Sequence, residues 1–149
     1  MKKRIVLVVS GILMMSYSAL SQENKCVSGD CMNGEGVYEF ANGDKYEGAF
    51  KDGKPEGKGT YSFSNGIVYE GDFEGGIPQG VGKFTYSDGD VYEGEFKANK
   101  REGKGKITLK NGDSYEGEWA DDKFNGQGTY TFANGETKSG NWVDGQIQE

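Results

Sequence analysis

One interval governs this chain. Tyr-Glu-Gly begins at Tyr46, Tyr69, Tyr92 and Tyr115, each 23 residues after the last, and the next step lands on Lys138-Ser139-Gly140, a degraded copy. A Gly-x-Gly pair keeps the same beat at Gly34/Gly36, Gly57/Gly59, Gly80/Gly82, Gly103/Gly105 and Gly126/Gly128. So does an Asn-Gly or Asp-Gly dipeptide, at Asn42, Asn65, Asp88, Asn111 and Asn134. Three independent markers with one period define a tandem repeat. Glycine supplies 26 of the 149 residues against two prolines, with no three-residue collagen period, so turns and close-packed strands are favoured over helices.

Asn-Gly and Asp-Gly between alternating side chains are the strongest short-range hairpin signal. Five of them predict five stacked β-hairpins, about ten strands, separated by loops of constant length such as Lys51 to Glu56 and Lys97 to Glu102. Register then decides which face is apolar, because a one-residue slip sends alternate side chains to the opposite face. A two-residue turn would divide the aromatics. A three-residue loop, Ala41-Asn42-Gly43, with Gly43 left-handed in a bulge, pairs Tyr38 with Tyr46 and gathers Tyr38, Phe40, Tyr46 and Phe50 on one side with Gly36 and Gly48. The opposite side carries Val37, Glu39, Lys45, Glu47 and Ala49. Glycines without a Cβ leave room for rings to lie flat on the sheet. Propagating the template places Tyr61, Phe63, Tyr69 and Phe73, then Phe84, Tyr86, Tyr92 and Phe96, then Ile107, Leu109, Tyr115 and Trp119, then Tyr130, Phe132 and Trp142 on that face. Phe124 alone falls outside the scheme, in a loop.

The run Tyr46-Glu47-Gly48-Ala49-Phe50, Gly53-Lys54, Gly57-Lys58-Gly59-Thr60-Tyr61 and Asn65-Gly66 resembles the MORN repeat, and the resemblance extends over about residues 33 to 145. It implies an all-β fold: an elongated, twisted, single-layer antiparallel sheet of about five stacked hairpins. It also implies non-catalytic roles in protein association and lipid binding, as in plant phosphatidylinositol phosphate kinases, junctophilins and scaffolding proteins. The Gly-Lys of the loop survives as Gly53-Lys54 but becomes Gly76-Ile77, Asn99-Lys100 and Asp122-Lys123, and histidine is absent from the chain, which argues against a basic phosphoinositide surface. The degraded last copy fits a capping repeat, with Lys138 blunting an exposed strand edge.

Residues 1–21 differ in kind. Lys2, Lys3 and Arg4 precede an apolar run from Ile5 to Met15, and Ala19-Leu20-Ser21 offers small residues for cleavage. We read a signal peptide cut near Ser21, giving an exported protein, periplasmic or extracellular. An uncleaved anchor is the competing reading, but the run falls short of the roughly 18 to 20 apolar residues a bilayer span requires. A lipoprotein is disfavoured because Cys26 follows Glu23-Asn24-Lys25. Cleavage removes three positive charges and moves the net charge from −7 to −10. That surface repels phosphate backbones and anionic head groups, so nucleic acid is excluded as a partner. Cys26 and Cys31, an even pair in an exported chain, suggest a small disulfide loop in an N-terminal cap over residues 22–32, the alternatives being two free thiols or half a metal site. Residues 33–145 are then the array and 146–149 a tail.

Reactive groups are scarce. Without histidine there is no Ser-His or Cys-His system, and no zinc site can be completed. Glu47, Glu70, Glu93 and Glu116 recur one repeat apart, roughly 9 to 10 Å, as a translational ladder rather than an asymmetric acid/base pair. The Gly-x-Gly pairs lack the third glycine and following helix of a phosphate loop, and Asp88-Gly89-Asp90 and Asn111-Gly112-Asp113 lack the calcium loop's distal glutamate. No catalytic residue, cofactor or metal is expected. The remaining candidate is the aromatic face: Tyr46, Phe50, Tyr69, Phe73, Tyr92, Phe96, Tyr115, Trp119 and Trp142 are core for one another and, where exposed, an interaction surface with the two tryptophans as strongest contacts. The chain reads as a non-catalytic module that binds another protein, with envelope lipid or glycan as the alternative ligand.

Overall fold

The computed structural model describes residues 23–148. The expected signal segment, its cleavage near Ser21 and Glu149 lie outside the described residues. Among the described residues twelve strands follow one another: β1 (Lys25–Gly29), β2 (Glu35–Glu39), β3 (Lys45–Lys51), β4 (Lys54–Ser62), β5 (Val68–Glu74), β6 (Ile77–Thr85), β7 (Val91–Lys97), β8 (Lys100–Thr108), β9 (Ser114–Ala120), β10 (Lys123–Thr131), β11 (Thr137–Val143) and β12 (Gln146–Ile147). They form one open antiparallel sheet in which each strand pairs with its sequence neighbours, so the all-β hairpin array expected from the period is what forms.

The Asn-Gly turns adopt the three-residue geometry. Phe40 N–H donates to Asp44 O at 2.9 Å, Gly43 N–H donates to Phe40 O at 2.9 Å, and Gly43 has φ +87°. Tyr38 consequently stands opposite Tyr46. The same pair of bonds recurs at Phe63, Tyr86, Leu109 and Phe132.

The connections between hairpins differ from the loops expected. Each is a two-residue turn that continues the ladder, with Lys51 opposite Lys54, Glu74 opposite Ile77 and Lys97 opposite Lys100. Asp52-Gly53, Gly75-Gly76, Ala98-Asn99, Asp121-Asp122 and Asp144-Gly145 all have positive φ at both positions. Such turns match the twist of the strands they join. The stretches expected as loops, such as Lys51 to Glu56, are therefore strand apart from the two turn residues, and Phe124, expected in a loop, lies on β10 directly opposite Trp119. Side chains of the preceding repeat steady these turns: Glu56, Gln79 and Glu102 each accept the N–H of Gly75, Ala98 and Asp121 respectively.

Both ends of the sheet are plugged on the aromatic side. The Cys26–Cys31 disulfide forms, and Cys31 Sγ occupies the space over Gly36. At the other end Ile147, carried on β12, covers Gly140. Inside the array the equivalent glycines are covered by tyrosine rings; Lys138 stands where the fifth such tyrosine would be, and an aliphatic side chain takes over its filling role.

Candidate interaction face

A single sheet has no second layer, so its rings must bury one another. Tyr46, Tyr69, Tyr92 and Tyr115 are fully buried. Each lies over two facing glycines, as Tyr69 does over Gly71 and Gly82, and its phenol donates to a backbone carbonyl where the ladder is interrupted: Ala49, Asp72, Glu95 and Glu118, all at 3.0 Å. Two edge-on rings flank every one of these tyrosines. Tyr69 meets Phe73 at 5.0 Å and Phe96 at 5.1 Å, and Tyr92 meets Phe96 at 5.1 Å and Trp119 at 5.0 Å. Edge-to-face pairing of this kind adds about 0.5–1.5 kcal/mol per pair beyond the area buried. The indole N–H groups of Trp119 and Trp142 donate to Gly105 O and Gly128 O, each at 3.0 Å.

The nine residues expected to present the face, Tyr46 through Trp142, are thus 0–7 % exposed and make up the core. Outward from them stands a second row, half-buried: Tyr38, Phe40, Tyr61, Phe63, Phe84 and Tyr86. Their centroids step along the array at 4.9, 5.5, 4.5, 6.3 and 4.8 Å, so the rings form one continuous stripe. The stripe resumes at Tyr130 and Phe132, 4.9 Å apart, after an aliphatic interval at Ile107 and Leu109.

On the other flank of the core a third column keeps the 23-residue beat without keeping residue type: Pro55, Pro78, Arg101, Phe124 and Ile147, opposite Phe50, Phe73, Phe96, Trp119 and Trp142 respectively. Phe124 stacks on Tyr115 at 3.7 Å. Arg101 lays its guanidinium over Trp119 at 4.5 Å, fixed there by Nε–H and Nη2–H donated to Asp122 at 3.1 and 2.8 Å.

Electrostatics tie the stripe to the turns. Asp44 is buried and accepts from Tyr61 O–H at 2.9 Å and from Ser64 N–H at 2.8 Å. Burial opposes its charge, but the hydrogen bonds from Ser64, Asn42 and Tyr61 outweigh it and its pKa is lowered. Asp113 repeats the arrangement with Tyr130 O–H at 2.8 Å and Ala133 N–H at 2.7 Å. Of the acidic turns Asp88-Gly89-Asp90 and Asn111-Gly112-Asp113, Asp90 accepts Lys110 N–H at 2.8 Å and Asp113 accepts the two groups just named. Glu93 and Glu116 of the polar side are interleaved with lysines, Lys83–Glu93 at 3.4 Å and Lys106–Glu116 at 3.5 Å, rather than facing one another. Among the described residues no group of three His, Cys, Asp or Glu side chains is placed to hold a metal.

This is an open repeat sheet in which aromatic rings on one side replace a second layer. Residues 28–45, 46–68, 69–91, 92–114 and 115–137 each match the MORN repeat, and the chain belongs to that family. MORN repeats are generally non-catalytic modules of protein or membrane-lipid interaction. No curated protein matches the chain. Among solved structures it is similar to the TCP domain of Drosophila melanogaster SAS-4 (dCPAP), solved with a proline-rich motif of Ana2 (dSTIL), at 11 % identity over 93 % of this chain and 86 % of that one. The TM-score between the two is 0.32.

Proposed function

We propose that this protein is a non-catalytic, exported structural and protein-interaction module that seats a partner protein on the aromatic side of its sheet. The carrying observation is the continuous stripe from Tyr38 to Tyr86, half-exposed and, among the described residues, without a covering layer. Contiguous exposed apolar surface of this kind marks interaction sites. Export is supported by the Cys26–Cys31 disulfide, a bond that persists in oxidising compartments. Pull-down from envelope extracts tests the reading. A Phe40→Gln, Phe63→Gln, Tyr86→Gln variant leaves the buried column intact and is expected to lose the proteins that wild type recovers. Identical recovery from both would remove the stripe as the interface.

The family's association with membranes, together with ring faces able to stack on sugars, supports a second reading, recognition of envelope lipid or glycan. Anionic lipid is disfavoured by the net charge of −10 after cleavage of the signal segment. Flotation with neutral and anionic liposomes, beside polysaccharide co-sedimentation, separates the two; absence of retention in every arm disposes of the second.

A further inference from the structure

The outer row of rings is interrupted inside the array, in the fourth unit. At the position filled by Tyr38, Tyr61, Phe84 and Tyr130 the fourth unit has Ile107, and where its neighbours have Phe40, Phe63, Tyr86 and Phe132 it has Leu109. Elsewhere the ring at this position lies against an aromatic of the core: Tyr38 is 6.4 Å from Phe50, Phe84 is 6.4 Å from Phe96, and Tyr130 is 6.4 Å from Trp142. Two hollows open beside the aliphatic pair. One, of about 260 Å³, is lined by Ile107 and Trp119 with Arg101 and Phe124 as walls. The other is a wide depression bounded by Asp90 and Leu109.

Asp90 shows what is missing. Where the second and fifth units carry a tyrosine at the Ile107 position, the carboxylate after the preceding unit's turn uses Oδ1 for a backbone N–H and Oδ2 for the tyrosine hydroxyl, Asp44 for Tyr61 and Asp113 for Tyr130. Asp90 Oδ1 accepts Lys110 N–H at 2.8 Å in the same way. Its Oδ2 has no hydroxyl partner among the described residues, because residue 107 is isoleucine. The carboxylate borders the second depression and not the hollow beside Trp119; in the fifth unit Tyr130 bridges the equivalent pair, 6.4 Å from Trp142 and bonded to Asp113, and the fourth unit has no such ring.

We infer that the hollow at Ile107 is a binding site for one tyrosine side chain of a partner protein. The inference rests on the protein-interaction reading and names the contact. The ring enters beside Trp119 and against the Arg101 guanidinium, which gains from aromatic contact on a desolvated face. Its hydroxyl donates to Asp90. Small-molecule sites usually run from roughly 300 to 1,000 Å³, so a hollow of this size suits a single side chain rather than a whole cofactor. A second copy of the chain is a poor donor, since every tyrosine among the described residues is buried or half-buried in its own array.

The test is titration of isotopically labelled protein with N-acetyl-tyrosinamide, N-acetyl-phenylalaninamide, N-acetyl-leucinamide, methyl glucoside and monomeric dihexanoyl phosphatidylcholine, read at the Trp119 indole N–H and the Ile107 methyls. The tyrosine amide is expected to give saturable shifts, about tenfold tighter than the phenylalanine amide through the phenol–carboxylate bond. Asp90→Asn should narrow that difference, while retaining an acceptor for Lys110 N–H. Ile107→Tyr, which supplies the ring from the chain itself, should abolish binding, and the array already accommodates tyrosine at this position in three other units. Absence of saturable shifts, unchanged binding by the Ile107→Tyr variant, or preference for leucine amide, glucoside or lipid would overturn the inference. Because these measurements need no partner, they separate failure of the pocket from failure of the interaction reading, which the wild-type pull-down decides.

Discussion

Tyr69 lies so close on Gly82 that a methyl group at Gly82 would stand 2.5 Å from the phenol oxygen. The same relation joins Tyr46 to Gly59, Tyr92 to Gly105 and Tyr115 to Gly128, and it buries four tyrosines completely in a sheet without a second layer. The glycine here matters for space, not for backbone freedom. Gly82→Ala must lift the ring and break its bond to Asp72 O, and we expect a loss of about 3 kcal/mol in urea unfolding. Gly135 offers the contrast: φ is +88° and nothing stands within 4 Å of an added methyl, so Gly135→Ala should lose only about 1 kcal/mol, from backbone strain. Equal losses would refute the packing role.

The Tyr61–Asp44 bond joins a half-exposed ring to a buried carboxylate at a turn. Tyr61→Phe removes one donor to a charged acceptor and should reduce stability by about 1.5 kcal/mol at neutral pH. Asp44 has its pKa lowered in the fold, so its contribution is complete above pH 3.8, the ordinary value, and is lost as pH falls through the folded value. The stability difference between wild type and variant should therefore shrink below pH 4, which equilibrium unfolding across an acid series would show.

Alkali should unfold the array through its core. Tyr46, Tyr61 and Tyr69 are each pushed up from 10.0 to about 12, by burial first, with the charges of Glu35 and Glu56 adding at Tyr46, the bond to Asp44 at Tyr61 and the charge of Asp72 at Tyr69. The folded state holds these protons more tightly than the unfolded chain. Its advantage is complete below pH 10 and disappears as pH rises through about 12. Phenolate absorbance and circular dichroism recorded together should show a late group of tyrosines titrating with loss of the sheet. Full titration near pH 10 with the sheet intact would contradict the burial.

Reduction of Cys26–Cys31 opens a link between residues only five apart, and the chain-entropy estimate for so short a loop is about 2 kcal/mol. Because Cys31 Sγ also fills the space over Gly36, a Cys26→Ser, Cys31→Ser variant should fray β1 and β2 while β5 to β10 keep their protection, as each strand hydrogen-bonds only to its neighbours in the sheet and the ring contacts reach no further than the next unit. Hydrogen exchange resolved by strand would show uniform loss of protection if the array unfolds as one unit instead.

How much was legible follows from which residues repeat by type. Asn-Gly or Asp-Gly recurs five times and Tyr-Glu-Gly four times at one interval, and turn chemistry plus a period of two then placed Tyr38 opposite Tyr46. The second set of turns was hidden because Asp-Gly, Gly-Gly, Ala-Asn and Asp-Asp all serve one left-handed geometry. The column over the core was hidden likewise, since Pro55, Pro78, Arg101, Phe124 and Ile147 share a position and no chemistry. Asp44 and Tyr61 are 17 residues apart, a spacing visible in the sequence but meaningful only once the strands carrying them adjoin.

The sequence by itself determined the interval, the hairpins, the register and the side on which the rings gather, because each depends on local backbone preference and alternation. Only the tertiary structure decided which rings are core and which are surface. Tyr38 and Tyr46 face each other across one ladder, yet Tyr46 is fully buried and Tyr38 half-exposed. Tyr46 has a glycine-floored hollow and edge-on rings from its own and the following unit, and that neighbourhood exists only when successive units stack.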